Sequence, residues 1–127
     1  MKKIFTALFA TSAFLSISFA QTQRRVLVEE FTQASCPPCA LYNPAFNAML
    51  SANASKVCQI KYQTDWPGFD PMNQHNPAQV QTRVTYYSIT GVPTGVVDGN
   101  YKKAGPAQIS AANINTRWAM PSPMQVT

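Results

Sequence analysis

The chain has 127 residues, which allows one domain and no more. Its formal charge of +5 comes from scattered basic residues. Arg24-Arg25 is a short doublet and Lys102-Lys103 reads as a solvated turn, so the density of a nucleic-acid patch is missing and that class of partner is excluded.

The first twenty residues read as a targeting segment rather than as fold. Lys2 and Lys3 supply a positive start, Ile4 to Ile17 is mostly apolar, and Ser18-Phe19-Ala20 offers the small residues a signal peptidase reads, with Gln21 opening the polar chain beyond. The apolar stretch is shorter than the roughly 20 residues of a membrane-spanning helix. No cysteine follows the cleavage box, which argues against a lipid-anchored start. The expectation is a signal peptide at residues 1–20 and one domain at residues 21–127, exported to the periplasm or cell envelope, with no integral span after cleavage. The alternative is an uncleaved anchor helix. Cleavage lowers the charge to +3, since Lys2 and Lys3 leave.

Val26-Leu27-Val28-Glu29-Glu30-Phe31-Thr32 is short, β-rich and largely apolar, as expected of a strand buried in a sheet. Gln33-Ala34-Ser35 is a tight connection. Pro37 and Pro38 suit the first turn of a helix, where their missing N–H groups cost nothing. Tyr42, Phe46, Met49 and Leu50 recur at helical spacing and predict a buried stripe through about residue 53, bent at Pro44. Val57 to Gln63 alternates, placing Cys58, Ile60 and Tyr62 on one apolar face of a second strand; Cys58 is then a small buried hydrophobe. Residues 64–77 contain Pro67, Gly68, Pro71 and Pro77 and form a loop. Trp66, Phe69 and Met72 either pack this loop down, the preferred reading, or rim a peptide site. His75 reads as a helix-entry or surface residue.

Asn76 and Pro77 open a helix whose Val80, Val84 and Tyr87 share a face, until Gly91-Val92-Pro93 breaks it. Thr94 to Asp98 is a third strand, Asp98-Gly99-Asn100 a hairpin turn and Tyr101 to Ala104 a fourth strand. Pro106 starts a last helix with Ala111, Ile114 and Trp118 inward, ended by Pro121 and Pro123. The order β-α-β-α-β-β-α predicts an α/β domain. Its first two strands run parallel around a crossover helix, its last two form an antiparallel hairpin, and helices flank both faces of a mixed four-stranded sheet.

The chemistry concentrates in Cys36-Pro37-Pro38-Cys39. Two cysteines separated by two residues at a helix start can close a small disulfide ring. The partial positive charge and unpaired N–H groups of a helix N-terminus stabilise a thiolate, and such placement lowers a free cysteine from about 8.5 to between about 3.5 and 7.5. Cys36, at the cap, is the exposed attacking thiolate; Cys39, one turn in, is more buried and resolves the mixed disulfide. The alternatives are a structural disulfide and a zinc half-site. The latter lacks ligands, since only Cys58 and His75 remain against a requirement of four. No metal, nucleotide or flavin site is visible, so no cofactor is expected.

These residues resemble the thioredoxin superfamily over about residues 25 to 119. A strand runs into Cys36-Pro37-Pro38-Cys39, Pro44 stands five residues beyond the second cysteine, and Tyr87-Ser88-Ile89-Thr90-Gly91-Val92-Pro93-Thr94 is similar to the family's proline loop. The resemblance implies a thioredoxin-like fold and a thiol–disulfide oxidoreductase that acts on protein disulfides and exchanges electrons with a partner protein. It also implies a cis Val92–Pro93 bond against the disulfide, with Val92 and Pro93 binding an extended substrate. Glu30, six residues before Cys36, matches the family's buried acid and would accept the Cys39 proton; Glu29 competes for that role. Ser35 replaces the usual tryptophan, Pro-Pro replaces Gly-Pro, and the loop from Trp66 to Asn73 is not standard. These features look more like an exported branch described as outer-membrane-protein-related, whose members often continue into a β-rich domain, so the chain is a minimal or a truncated version. The rival expectation is a non-catalytic thioredoxin-fold module of the cell envelope. A third, a copper-handling protein, requires a histidine near the cysteines.

Overall fold

A computed structural model describes residues 23–122. The expected signal peptide at residues 1–20 lies outside the described residues. The domain is α/β, with a four-stranded sheet in the order β2-β1-β3-β4. Strand β1 (Val26–Thr32) leads into helix α1 (Pro37–Ala52), which returns to strand β2 (Val57–Gln63). A loop with a 3-10 turn at Asn73–His75 leads to helix α2 (Pro77–Tyr87). Strands β3 (Thr94–Val97) and β4 (Lys102–Ala104) form a hairpin, and helix α3 (Ala111–Trp118) closes the order. The β1–β2 pair is parallel; β1–β3 and β3–β4 are antiparallel.

Strand alternation divides the core in two. Val26 and Val28 of β1 pack with Phe46 and Leu50 of α1, Val97 of β3 and Ile114 of α3. On the other face, Phe31 packs with Val80 and Val84 of α2, Ile89 and Val96. Glu30 and Thr32 share the side of Val26 and Val28, which α1 covers; Glu29 shares the side of Phe31, which α2 covers. Both acids are buried, as the central position of β1 requires.

The local signals explain most boundaries. Asp98 and Gly99 both take positive φ, 46° and 73°, the conformation that a tight hairpin turn demands and that Asp-Gly adopts readily. Helix α2 ends on Ser88 at φ 50°, and the Ile89 N–H then donates to Val84 O, tucking Ile89 into the core.

Four expectations need correction. Pro106 does not start the last helix: Pro106–Gln108 is a 3-10 turn, and α3 begins after Ser110, whose N–H donates to Asn113 Oδ1. Asn76 makes no side-chain cap bond to α2; its amide donates instead to Gln79. Tyr42 is 44% exposed rather than part of the buried stripe of α1. Cys58 is exposed as well. Its strand β2 is an edge, and the alternation places Cys58 and Ile60 with Tyr62, but α2 covers only the Tyr62 end, leaving Ile60 40% exposed.

Candidate active site

Cys36 is the N-cap of α1, with extended backbone (φ −91°, ψ 108°), and Pro37 and Pro38 follow in the first turn. The prolines lack N–H groups, so the first free helical donor is that of Cys39, and it meets Cys36 Sγ at 3.1 Å. Cys36 and Cys39 are joined by a disulfide. The Val92–Pro93 bond is cis, and Val92 O lies 3.6 Å from Cys36 Sγ. The proline loop therefore sits against the sulfur. This contact removes the difference in exposure expected between the two cysteines: Cys36 is 4% exposed and Cys39 3%.

Behind Cys39 lies a cavity of about 290 Å³, bordered by Thr32, Asn43, Asn47, Lys61 and Met72 among others. Glu30 is fully buried on this side of the sheet. Its Oε2 receives Lys61 Nζ at 2.8 Å and Gln59 Nε2 at 3.3 Å, and Lys61 also reaches Asn47 Oδ1. Glu30 Oε1 is buried without a hydrogen-bond partner among the described residues, as is Asn43 Oδ1.

Glu29 is engaged elsewhere. Arg83 donates to both of its oxygens, at 2.6 and 3.1 Å, and the Tyr87 and Tyr62 hydroxyls donate at 2.6 and 3.2 Å. Burial alone would raise its carboxyl, but the bonds from Arg83 and Tyr87, the guanidinium charge and the bond from Tyr62 hold it below its ordinary value. Tyr62 and Tyr87 are pushed above the usual phenol value, first by burial and then by the Glu29 charge and hydrogen bond. This cluster ties α2 to the sheet on the face away from α1. Strand parity places Glu30 on the face covered by α1, the helix that carries Cys39, and Glu29 on the face covered by α2.

The residues flanking Cys36 reveal what sequence reasoning missed. Phe69 is 70% and Met72 51% exposed, whereas Trp66 packs on the α2 side of the core. The expectation that all three pack the loop down therefore holds for Trp66 only. The Trp66–Pro67 bond is cis. His75 ends the 3-10 turn before α2. Among the described residues, no three His, Cys, Asp or Glu side chains gather as a metal set, and no helix is long and apolar enough to cross a membrane.

No family model and no curated protein matches the chain. Among solved structures, one described as "Structure of a malarial protein" is similar, with a TM-score of 0.50 at 12% identity, covering 76% of this chain and 100% of the other. At that identity the likeness concerns the fold alone.

Proposed function

We propose that this chain is an exported, thioredoxin-like thiol–disulfide oxidoreductase that acts on protein disulfides through Cys36 and Cys39. The observation that carries the reading is the Cys36–Cys39 disulfide at a helix N-terminus, with the Cys39 N–H on Cys36 Sγ and the cis Val92–Pro93 loop against it. A helix N-terminus favours negative charge, and the N–H that meets Cys36 in the oxidised state is placed to stabilise its thiolate once the bond is reduced. The Cys36 thiolate attacks one sulfur of a substrate disulfide; a mixed disulfide forms and the substrate's other sulfur leaves as a thiolate. Cys39 then loses its proton and attacks Cys36, releasing the reduced substrate and restoring the ring. Glu30, buried on the α1 side with one unpartnered oxygen, is the acceptor for that proton. A partner protein supplies the electrons for the next cycle.

In an insulin-reduction assay, Cys36→Ala abolishes turnover, and Cys39→Ala accumulates a mixed disulfide visible on a non-reducing gel. Equal activity of wild type and Cys36→Ala would sink the reading. Glu30→Gln slows resolution and changes its pH profile while leaving the first attack intact. The N-terminal pattern around Lys2, Lys3 and Ser18-Phe19-Ala20 supports export, and N-terminal sequencing of the exported product should begin at Gln21.

The 4% exposure of Cys36 favours a second reading, in which the disulfide is a structural bridge of a non-catalytic envelope module. That bridge would resist mild reductant, and neither thiol would alkylate quickly after forced reduction.

A further inference from the structure

The sequence shows Gln33-Ala34-Ser35 only as a short link, and residues 64–72 only as a non-standard loop. The structure joins the two. Gln33 is 3% exposed and uses both ends of its amide: Nε2 donates to Gly68 O at 2.7 Å and Phe69 O at 3.1 Å, and Oε1 accepts from Ser35 N at 2.6 Å. Asp70 is 1% exposed; Oδ2 accepts from Ala34 N at 2.9 Å and Oδ1 from Met72 N at 2.8 Å. Ser35 Oγ donates to Phe69 O at 3.1 Å. Gly68 leaves room for this approach, because a Cβ there would stand 3.3 Å from Ser35 Cβ.

We propose that Gln33 and Asp70 are positioning residues for Cys36, which pin the link before it to the loop and so fix the cap geometry in which the Cys39 N–H meets its sulfur. The inference rests on the oxidoreductase reading for its consequence in catalysis. The chain of contacts is continuous: the loop holds Gln33 and Ala34, the Gln33 side chain holds Ser35, and the Cys36 N–H donates to Gln33 O at 3.3 Å. Both ends of the loop are secured without these residues. Thr64 N–H donates to Thr32 O, Thr64 Oγ1 to Trp66 O, and Asn73 Nδ2 to Gln63 O. The polar groups of Gln33 and Asp70 therefore join link to loop: Gln33 Nε2 reaches the loop and Oε1 the link, and Asp70 divides its two oxygens between them. A buried carboxylate is costly unless its oxygens are engaged, and one of the two Asp70 oxygens is engaged by the link itself.

Position and charge predict opposite signs. Two residues from the Asp70–Ala34 bond, a negative charge disfavours a thiolate; removing that charge alone would make Cys36 ionise more easily. Loss of the clamp frees the cap and weakens the bond from Cys39 N–H, so Cys36 becomes harder to ionise. The test is the pH dependence of iodoacetamide alkylation of Cys36 in the reduced protein, on a Cys58→Ser background. In wild type the midpoint lies below the ordinary value of about 8.5. In Asp70→Asn, where an amide group faces one of the two N–H donors, the midpoint rises by about one unit, a roughly tenfold fall in the ionisation constant of the thiol. Gln33→Leu, which changes no charge, moves it the same way.

A wild-type midpoint at the ordinary value would overturn the proposed function and this inference with it. A depressed wild-type midpoint, with folded variants that stay level with it, would overturn the inference alone and leave loop architecture as the role. A lowered midpoint in Asp70→Asn would overturn it in favour of a charge effect. Should both variants fail to fold, Ser35→Ala at an exposed site removes one bond of the clamp; a midpoint raised by about half a unit, roughly threefold in the ionisation constant, supports the inference, and no change overturns it.

Discussion

Gly95 stands opposite Glu30 in the register of β1 and β3, and its missing side chain is required by packing. A Cβ there would lie 2.5 Å from Ile109 Cδ1 and 3.5 Å from Phe46 Cζ. The Ile109 methyl is the end of a flexible side chain and can retreat, but Ile109 is itself buried, so the displacement strains a packed cluster. We expect Gly95→Ala to destabilise by about 1–3 kcal/mol, the usual cost of overpacking, read as a lower urea midpoint. An unchanged midpoint would mean that the neighbours have more freedom than the packing implies. Burial at this scale was partly legible in the sequence. The cap position of Cys36 followed from the prolines after it. Which of Glu29 and Glu30 lies on the α1 side did not, because strand alternation separates the two without telling which face receives α1.

Helix α2 shows how an element is fixed by a few polar contacts. Its apolar face is narrow, with Val80 and Val84 buried, and Arg83 and Tyr87 converge on the buried Glu29. Arg83→Met leaves the Glu29 charge with only its tyrosine donors, and hydrogen bonds to charged groups contribute about 1.5–3 kcal/mol each. The expected loss is about 2–3 kcal/mol, discounted because the Arg83 side chain is 33% exposed. Tyr87→Phe should cost less, about 1–2 kcal/mol, since Arg83 still neutralises the carboxylate. Equal stability of wild type and Arg83→Met in urea unfolding would count against this anchoring. The element itself was legible from Val80, Val84 and Tyr87 at helical spacing and from Pro77. Its anchor was not, because Arg83 and Glu29 are far apart in sequence and nothing local links them. Strand β2 teaches the same lesson in reverse: its alternation was readable, whereas the exposure of Cys58 depends on how far α2 extends over the edge.

At the scale of the whole molecule, the Glu29 cluster links stability to pH from both sides. The Glu29 carboxyl is held below its ordinary value of 4.5 in the fold. Its contribution is therefore fully present above pH 4.5 and is lost as pH falls through the folded value, because the unfolded chain binds the proton first. Tyr62 and Tyr87 are raised above 10.0 in the fold. Their contribution is present below pH 10 and declines as pH rises beyond it, because the unfolded phenols ionise while the buried ones stay neutral. Other groups titrate in both ranges, so the informative quantity is the difference between wild type and variant. Without Arg83, only the tyrosine bonds are left to oppose burial at Glu29, so protonation of the carboxyl costs the variant less than it costs wild type. The deficit of Arg83→Met should be full above about pH 6, shrink below pH 4.5, and not shrink above pH 10, because the guanidinium also eases ionisation of Tyr62 and Tyr87. The deficit of Tyr87→Phe should shrink above pH 10, where only wild type carries that phenol. Urea midpoints measured from pH 3 to 11 on the three proteins decide the matter: curves parallel to wild type throughout would show that the cluster holds α2 by shape alone, and convergence of Arg83→Met on wild type at the acid end and of Tyr87→Phe at the alkaline end that its charges do the holding.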